Sequence, residues 1–276
     1  MTLPLHGITT CVSVIVPTYN SSKFLSTCLR ALKQQRYPFL EILVIDNYST
    51  DGTRSIAEAF GARVILHKGT QAAARNQGIL HSKCDFVLFL DSDQQLQDEV
   101  VKDCFQLCIS QGADAVKIPE VFVGMNFWGR CSALWKNSLV TAWGSGGGIP
   151  RFYKKEILVS HSAFNDKLRW WEDMELFGRL SNMGLKVAWC NGRVFHFEAV
   201  SPHYMILKYL SYGRSINKFE DGQVTTLYKR TIALTLSTLI QTLRDSWKSI
   251  PVFIGCMFLV AVKSLSAIVG FLSRLK

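Results

Sequence analysis

Residues 12–20 read VSVIVPTYN: a run of β-branched and aliphatic side chains that stops at a proline and passes into a polar tail. Such a run fits a strand covered on both faces. The same pattern recurs at 41–46 (EILVID), 63–66 (RVIL) and 85–90 (DFVLFL). Between the first two runs, Phe24, Leu25, Cys28, Leu29 and Leu32 repeat at helical spacing over 21–35, with Ser21 or Ser22 available as a cap. Thr50-Asp51-Gly52-Thr53 opens a second helix, and residues 71–81 form a third. Strands alternating with helices of about a dozen residues predict βαβ units. The expected fold is therefore α/β, Rossmann-like, with a mostly parallel sheet flanked by helices on both faces.

Beyond Asp93 the pattern loosens. Helices are expected over 98–111, 127–140 and 172–183, strands over 113–118, 186–189 and 193–197, and a glycine-rich turn over 143–149. From Ser201 the composition changes, with apolar helical stretches at 204–212, 231–243 and 251–272. This predicts two parts: an α/β domain over 1–200 and a helical, membrane-associating extension over 201–276.

The charge divides in the same way. The chain of 276 residues carries 31 basic and 21 acidic side chains, a net +10. Residues 201–276 hold ten Lys/Arg against three acids, a net +7, which leaves +3 for the first 200. Cations beside apolar helices suit an anionic membrane surface. No nucleic-acid recognition motif accompanies them, so nucleic acid is not an expected partner. Residues 251–272 are long enough to span a bilayer, but Lys263 near their middle is costly in lipid. An in-plane helix, a single span and a soluble packing helix all stay open. The eight cysteines form no C-x-x-C pair, and the first ten residues lack a signal-like apolar run. Small buried thiols, reduced in a cytosolic setting, are the expectation.

Ligands bind at the carboxyl ends of strands in open α/β sheets, where no helix covers the loops. Four polar motifs fall at such ends: Pro17-Thr18-Tyr19-Asn20, Asp46 to Gly52, Gly69 to Gly78, and Asp91-Ser92-Asp93. Carboxylates at i and i+2 on extended backbone face one side and make an oxygen-rich site for Mg²⁺ or Mn²⁺. Alone, a D-x-D is often a solvated turn; directly after an apolar strand it is more telling. Glu172-Asp173 follows Trp170-Trp171, where it can cap a helix or do chemistry. The two tryptophans can stack on a sugar or fill a core. His196 lies between two phenylalanines, a structural setting as often as a functional one.

Taken in order, VSVIVPTYN (12–20), ILVIDNYSTDGT (42–53), AARNQGI (73–79), LFLDSDQ (88–94) and Glu172-Asp173 with Arg179 resemble the family 2 nucleotide-sugar glycosyltransferases of the GT-A fold. The resemblance covers roughly residues 11–200. It implies donor binding by Pro17, Tyr19, Asp46, Asn47, Arg75, Asp91 and Ser92, with Tyr19 stacking on the base. Many members carry a second Asp where this chain has Asn47, which leaves UDP and GDP both open. The resemblance further implies Mn²⁺ or Mg²⁺ at Asp91 and Asp93, with Gln95 and His196 as further candidates. Asp173 matches the general base, and Gly147, Gly148, Trp171 and Glu172 the acceptor side. Tyr212-Gly213-Arg214-Ser215 resembles members that glycosylate lipid-linked acceptors; a solvated basic helix end reads equally well.

The implied activity is inverting transfer of a sugar from a nucleotide-diphosphate donor to a hydroxyl on a lipid-linked or membrane-proximal glycan, at the cytoplasmic face of a membrane. Two alternatives stand beside it: a polyprenyl-phosphate glycosyltransferase, and a catalytically silent nucleotide-sugar-binding scaffold.

Overall fold

The computed structural model of the protein describes residues 11–142, 148–169, 171–214, 237–245 and 249–273. They belong to two compact units. The first takes in residues 1–119, 149–166 and 172–194, and the second 120–148, 167–171 and 195–276.

The first unit is built on a seven-stranded sheet. Its strands are β1 (Val12–Thr18), β2 (Leu40–Asp46), β3 (Arg63–Leu66), β4 (Phe86–Phe89), β6 (Ala115–Lys117), β8 (Pro150–Lys154) and β9 (Val187–Trp189), in the order β3-β2-β1-β4-β8-β6-β9. β1 runs parallel to β2 with Thr18 opposite Asp46, and parallel to β4 with Ile15 opposite Phe89. Only β8 opposes its neighbours. The sheet is therefore mostly parallel, as expected. Alternation along β1 explains why the run reads as continuously apolar. Val12, Val14 and Val16 join one core with Leu25, Leu29 and Leu32 of α1 (Ser22–Lys33) and Val101 and Cys104 of α4 (Val100–Ser110). Ile15 joins the other core with Ala72 and Ile79 of α3 (Gln71–His81) and Leu176 and Leu180 of α7 (Glu172–Asn182). Period-2 side chains thus serve two helical layers.

The helix opened by Thr50-Asp51-Gly52-Thr53 is present as α2 (Thr53–Ala59), though only seven residues long. Among the elements without a sequence signal are α6 (Lys155–Ser160, six residues), β5 (Gln94–Leu96) and β7 (Glu120–Gly124). One expectation is corrected. Cys11 and Cys84 are disulfide-bonded, with Cα atoms 5.2 Å apart, so the thiols are not all reduced. The residues are 73 apart in sequence, but Cys11 precedes β1 and Cys84 precedes β4, and those strands are neighbours. The other six cysteines are free and buried.

The second unit contains β7 (Glu120–Gly124) beside β10 (Val194–Glu198), with α5 (Phe127–Ala142), α8 (Pro202–Gly213), α9 (residues 237–245) and α10 (Ile250–Leu272). The expected helix over 231–243 begins outside the described residues. α10 is long and apolar enough to cross a membrane by length and composition. Its two faces differ. Gly255, Cys256, Leu259, Lys263, Ser266 and Gly270 are buried, and α10 packs on α5 and α8. Ile254, Phe258, Leu265, Ile268, Val269 and Leu272 are exposed. The crossing with α8 is closed by glycine. A Cβ on Gly213 would collide with the Ala267 carbonyl oxygen, and one on Gly270 with that of Leu210. Only glycine permits such backbone contact, a pattern common where helices associate in lipid.

Lys263 lies on the packed face at 8% exposure, with its ammonium 5.8 Å from the Tyr209 ring centre. The single charge of α10 therefore points into the protein. This unit also holds a buried acid, Glu198 on β10, which is paired with Lys136 of α5. Burial raises the Glu198 pKa, but Lys136 and His196 outweigh it, and the group titrates below the ordinary glutamate range.

Candidate active site

The loops after β1 and β2 are stitched together around Asp46. This carboxylate is fully buried. Oδ1 accepts from Thr18 Oγ1 (2.9 Å) and Ser49 Oγ (2.5 Å), Oδ2 accepts from the Ser49 N–H (2.9 Å), and Arg54 Nε lies 3.9 Å away. Across the two loops, the Asn20 N–H donates to Ser49 Oγ (2.9 Å) and the Thr50 N–H to Asn20 Oδ1 (2.9 Å). Asp51 secures the start of α2 and reaches α1. It accepts from the Ser22 N–H (3.1 Å), the Thr53 N–H (3.0 Å) and the Thr53 hydroxyl. These hydrogen bonds, the Thr53 hydroxyl foremost, hold its carboxyl well below the usual range. Asn47 clasps the Gly69 backbone, accepting from its N–H (3.4 Å) and donating to its carbonyl (3.3 Å). Two tyrosines stand out from this frame, Tyr19 at 64% exposure and Tyr48 at 54%. Pro17 lies opposite Ile45 near the end of β1.

The turn after β4 is locked by Gln94. Its Oε1 accepts the Asp91 N–H (3.0 Å), and its own backbone N–H donates to the Asp91 carbonyl (3.0 Å). The second of these bonds closes the turn from residue 91 to residue 94. The sequence favours Gln95 as a further oxygen donor, but the buried amide is that of its neighbour, and Gln95 is half-buried on the other face of β5. Ser92 Oγ donates to Ser21 Oγ (3.0 Å), tying the turn to the loop after β1. Beneath it the Cys28 thiol faces the Asp91 carbonyl (3.7 Å), and burial followed by the charges of Asp93 and Asp91 raises its pKa beyond the ordinary thiol range.

Arg75 of α3 joins two of the motifs. It is buried, with Nη2 donating to Asp91 Oδ1 (3.0 Å) and Nη1 to Glu172 Oε1 (3.0 Å). Gln71 Nε2 also donates to Asp91 Oδ1 (2.8 Å), and Arg151 Nη1 lies 3.6 Å from Asp91 Oδ2. Burial disfavours the guanidinium charge, yet Asp91, Glu172 and Asp173 more than offset this and raise the Arg75 pKa. Glu172 behaves in the opposite way. Burial and the Asp173 charge push its pKa up, and Arg75 only partly opposes them. Asp173 sits beside it in the first turn of α7, where the helix dipole favours an anion. Its Oδ1 accepts the Met174 N–H (2.8 Å).

Arg179 and Asn76 brace this arrangement from behind. Arg179 pairs with Glu175 (2.8 Å) and donates to the carbonyls of His161 and Ala163. Asn76 and Phe164 exchange two hydrogen bonds (2.8 and 3.0 Å), and the Phe164 ring packs 5.4 Å from the Arg75 guanidinium carbon.

The structure therefore brings together Arg75, Asp91 and Glu172, and adds Gln71 and Arg151, to which the motifs assign no role. A basic residue just past the glycine-rich turn is the available signal for Arg151. His196 belongs to the second unit, where Nδ1 lies 2.7 Å from Glu120 and Nε2 lies 4.0 Å from Glu198. Gly148 and Trp171 both have left-handed backbones, and Gly147 and Trp170 lie outside the described residues.

Among the described residues, no three His, Cys, Asp or Glu side chains converge to hold a metal by themselves. Asp91 and Asp93 offer the hard oxygen donors that a divalent cation takes, while Asp91 also pairs with Arg75, Gln71 and Arg151. Mg²⁺-type sites are commonly built from one or two carboxylates, with substrate phosphates and water completing the shell.

A strand-end frame of this kind has relatives. The sequence model of Glycosyl transferase family 2 matches residues 13–163, more than half of the chain. The chain belongs to the family 2 glycosyltransferases. Among curated proteins, glycosyltransferase GlyG of Streptococcus pneumoniae is 35% identical over 112 residues, covering 38% of this chain and 37% of GlyG. The poly(ribitol-phosphate) beta-N-acetylglucosaminyltransferase TarS of Staphylococcus aureus is 34% identical over 115 residues, covering 38% of this chain and 20% of TarS. The matches thus span little more than a third of one relative and a fifth of the other. Among solved structures, the mannosyltransferase PcManGT of Pyrobaculum calidifontis, in complex with GDP-Man and Mn²⁺, superposes with a TM-score of 0.60 at 18% identity, covering 96% of this chain and 88% of that one. These likenesses bear out the GT-A fold of this family 2 chain.

Proposed function

We propose that this family 2 glycosyltransferase is an inverting enzyme. It would move a sugar from a UDP or GDP donor to an acceptor hydroxyl on a lipid-linked or membrane-proximal glycan. The observation that carries the reading is the Arg75 bridge, which fixes the D-x-D turn and the start of α7 in one charged cluster. Tyr19 stacks on the nucleobase, Pro17 and Asn47 line the same loops, and Asp46 keeps those loops in place. Arg75 and Ser92 face the diphosphate end. Asp91 and Asp93 would hold Mn²⁺ or Mg²⁺, which supplies positive charge to the leaving diphosphate. Asp173 takes the acceptor proton as the hydroxyl attacks the anomeric carbon. Glu172, Gly147, Gly148 and Trp171 are assigned to the acceptor side. TarS, named for poly(ribitol-phosphate), supports a glycan acceptor for this chain.

The exposed apolar face of α10 and the basic C-terminal part support attachment to the cytoplasmic face of an anionic membrane, with α10 lying in the interface plane. Turning Lys263 inward removes the obstacle its charge posed to that contact.

The test is transfer from a panel of UDP and GDP sugars to a lipid extract with Mn²⁺. Asp173→Asn is expected to lower kcat at least about 100-fold while donor affinity and Tm hold, in line with the usual contribution of a general base. Full activity in that variant would refute the base assignment.

A further inference from the structure

Tyr48 is unusual in two ways at once. Its backbone is left-handed, with φ at +55°, and its large side chain is 54% exposed. A bulky residue rarely adopts this conformation, because its Cβ crowds the following carbonyl where glycine would not. More than half of the residue's surface stays open to solvent. Strain of this kind persists where the surroundings enforce it, and it clusters at ligand sites.

The surroundings here do enforce it. The residue before Tyr48 is held by the Asn47 N–H to the Thr18 carbonyl (2.9 Å) and by the clasp on Gly69. The residue after it is held by two bonds from Ser49 to Asp46. Tyr48 is thus the unburied step between two fixed residues. Tyr19 leaves the neighbouring strand one residue after Thr18, which is paired with Asp46. The two loops are bonded on either side of these tyrosines, by the Asn47 N–H to the Thr18 carbonyl (2.9 Å) and by the Asn20 N–H to Ser49 Oγ (2.9 Å), so both exposed rings leave one fixed frame.

We propose that Tyr48 is a second aromatic wall of the nucleobase site, opposite Tyr19, and that it sets the affinity for the base. This rests on the nucleotide-donor reading above. The ligand class is the base of a nucleoside diphosphate. Tyr48 touches neither the diphosphate nor the metal.

The experiment is calorimetric titration of the full chain with UDP, GDP and inorganic pyrophosphate, each with Mn²⁺. Tyr48→Phe is expected to bind the better nucleotide as the wild type does. Tyr48→Gly is expected to weaken that nucleotide roughly tenfold or more, the range of a lost base–aromatic stack. Pyrophosphate binding should stay unchanged in both variants. Tyr48→Gly should also keep or raise Tm, because glycine relieves the left-handed strain. A residue with a purely structural role would move Tm and leave the nucleotide affinity alone. Unchanged nucleotide binding in Tyr48→Gly overturns the proposal. If folded wild-type protein binds pyrophosphate but neither nucleotide, the donor reading itself fails.

Discussion

Each unit of this protein buries a charge cluster, and the two are built with opposite signs at the centre. In the first, the arginine Arg75 is surrounded by Asp91, Glu172 and Asp173, with Arg151 at the edge. In the second, the glutamate Glu198 is surrounded by Lys136, His196 and, further off, Lys208 and Lys263. The consequence shows in their titration. Glu172 is held above the ordinary glutamate range and Glu198 below it, although both are buried. Desolvation acts alike on both; the neighbours decide the sign. In the first cluster, three carboxylates around one arginine favour the guanidinium charge. A glutamate among lysines is a way of burying ammonium groups under apolar helices.

The sharpest way to break this comparison is to remove each centre. Arg75→Met leaves Asp91 and Glu172 without their shared cation, and we expect it to destabilise the protein by about 3–5 kcal/mol, the usual cost of stranding buried charge. Urea denaturation measures this. Adding Glu172→Gln should recover part of the loss, since the two sites are coupled; simple additivity would show that Arg75 packs without bridging. Glu198→Gln should cost less, about 2 kcal/mol, because Lys136 keeps some access to water. A variant as stable as the wild type would mean that the lysines find their counter-charge elsewhere.

The smallest effect is the most specific. The folded pKa of Glu198 is depressed, so its contribution is present above the ordinary glutamate pKa of 4.5 and is lost as pH falls through the folded value. The folded pKa of Glu172 is raised, so the folded state holds its proton longer, and stability declines as pH rises from 4.5 through the raised value. Urea midpoints from pH 7 to pH 3 should therefore shift in opposite directions for Glu172→Gln and Glu198→Gln, relative to the wild type. Parallel shifts would contradict the assignment of opposite signs.

The sheet was legible because β1, β2 and β4 are buried on both faces and so read as unbroken apolar runs. Among the three-residue strands, β6 and β9 fall within expected strands and β5 does not. β5 is Gln-Gln-Leu, whose start is held by the Gln94–Asp91 bonds, a contact that no apolar pattern announces. β7 is half-buried along its whole length, so it lacks the alternation that marks a strand. At the candidate site, the motifs named Arg75, Asp91 and Glu172 as separate residues, but no spacing rule says that one guanidinium spans residues 91 and 172. The Cys11–Cys84 bond escaped for the same reason, since strand adjacency is a property of topology. Tyr48 was quoted within its motif, yet its interest lies in a backbone angle that composition does not encode.

Asp46 has a consequence for the energetics of ligand capture. With its oxygens already satisfied by Thr18 and Ser49, the two loops that frame the proposed nucleotide site are held together within the fold itself. A ligand arriving there meets a preorganised cradle and need not freeze a mobile one, which spares the ordering entropy that often weakens association. Its binding should then show a modest negative heat-capacity change, set by the rings it covers and without the larger signature of a segment that folds on contact.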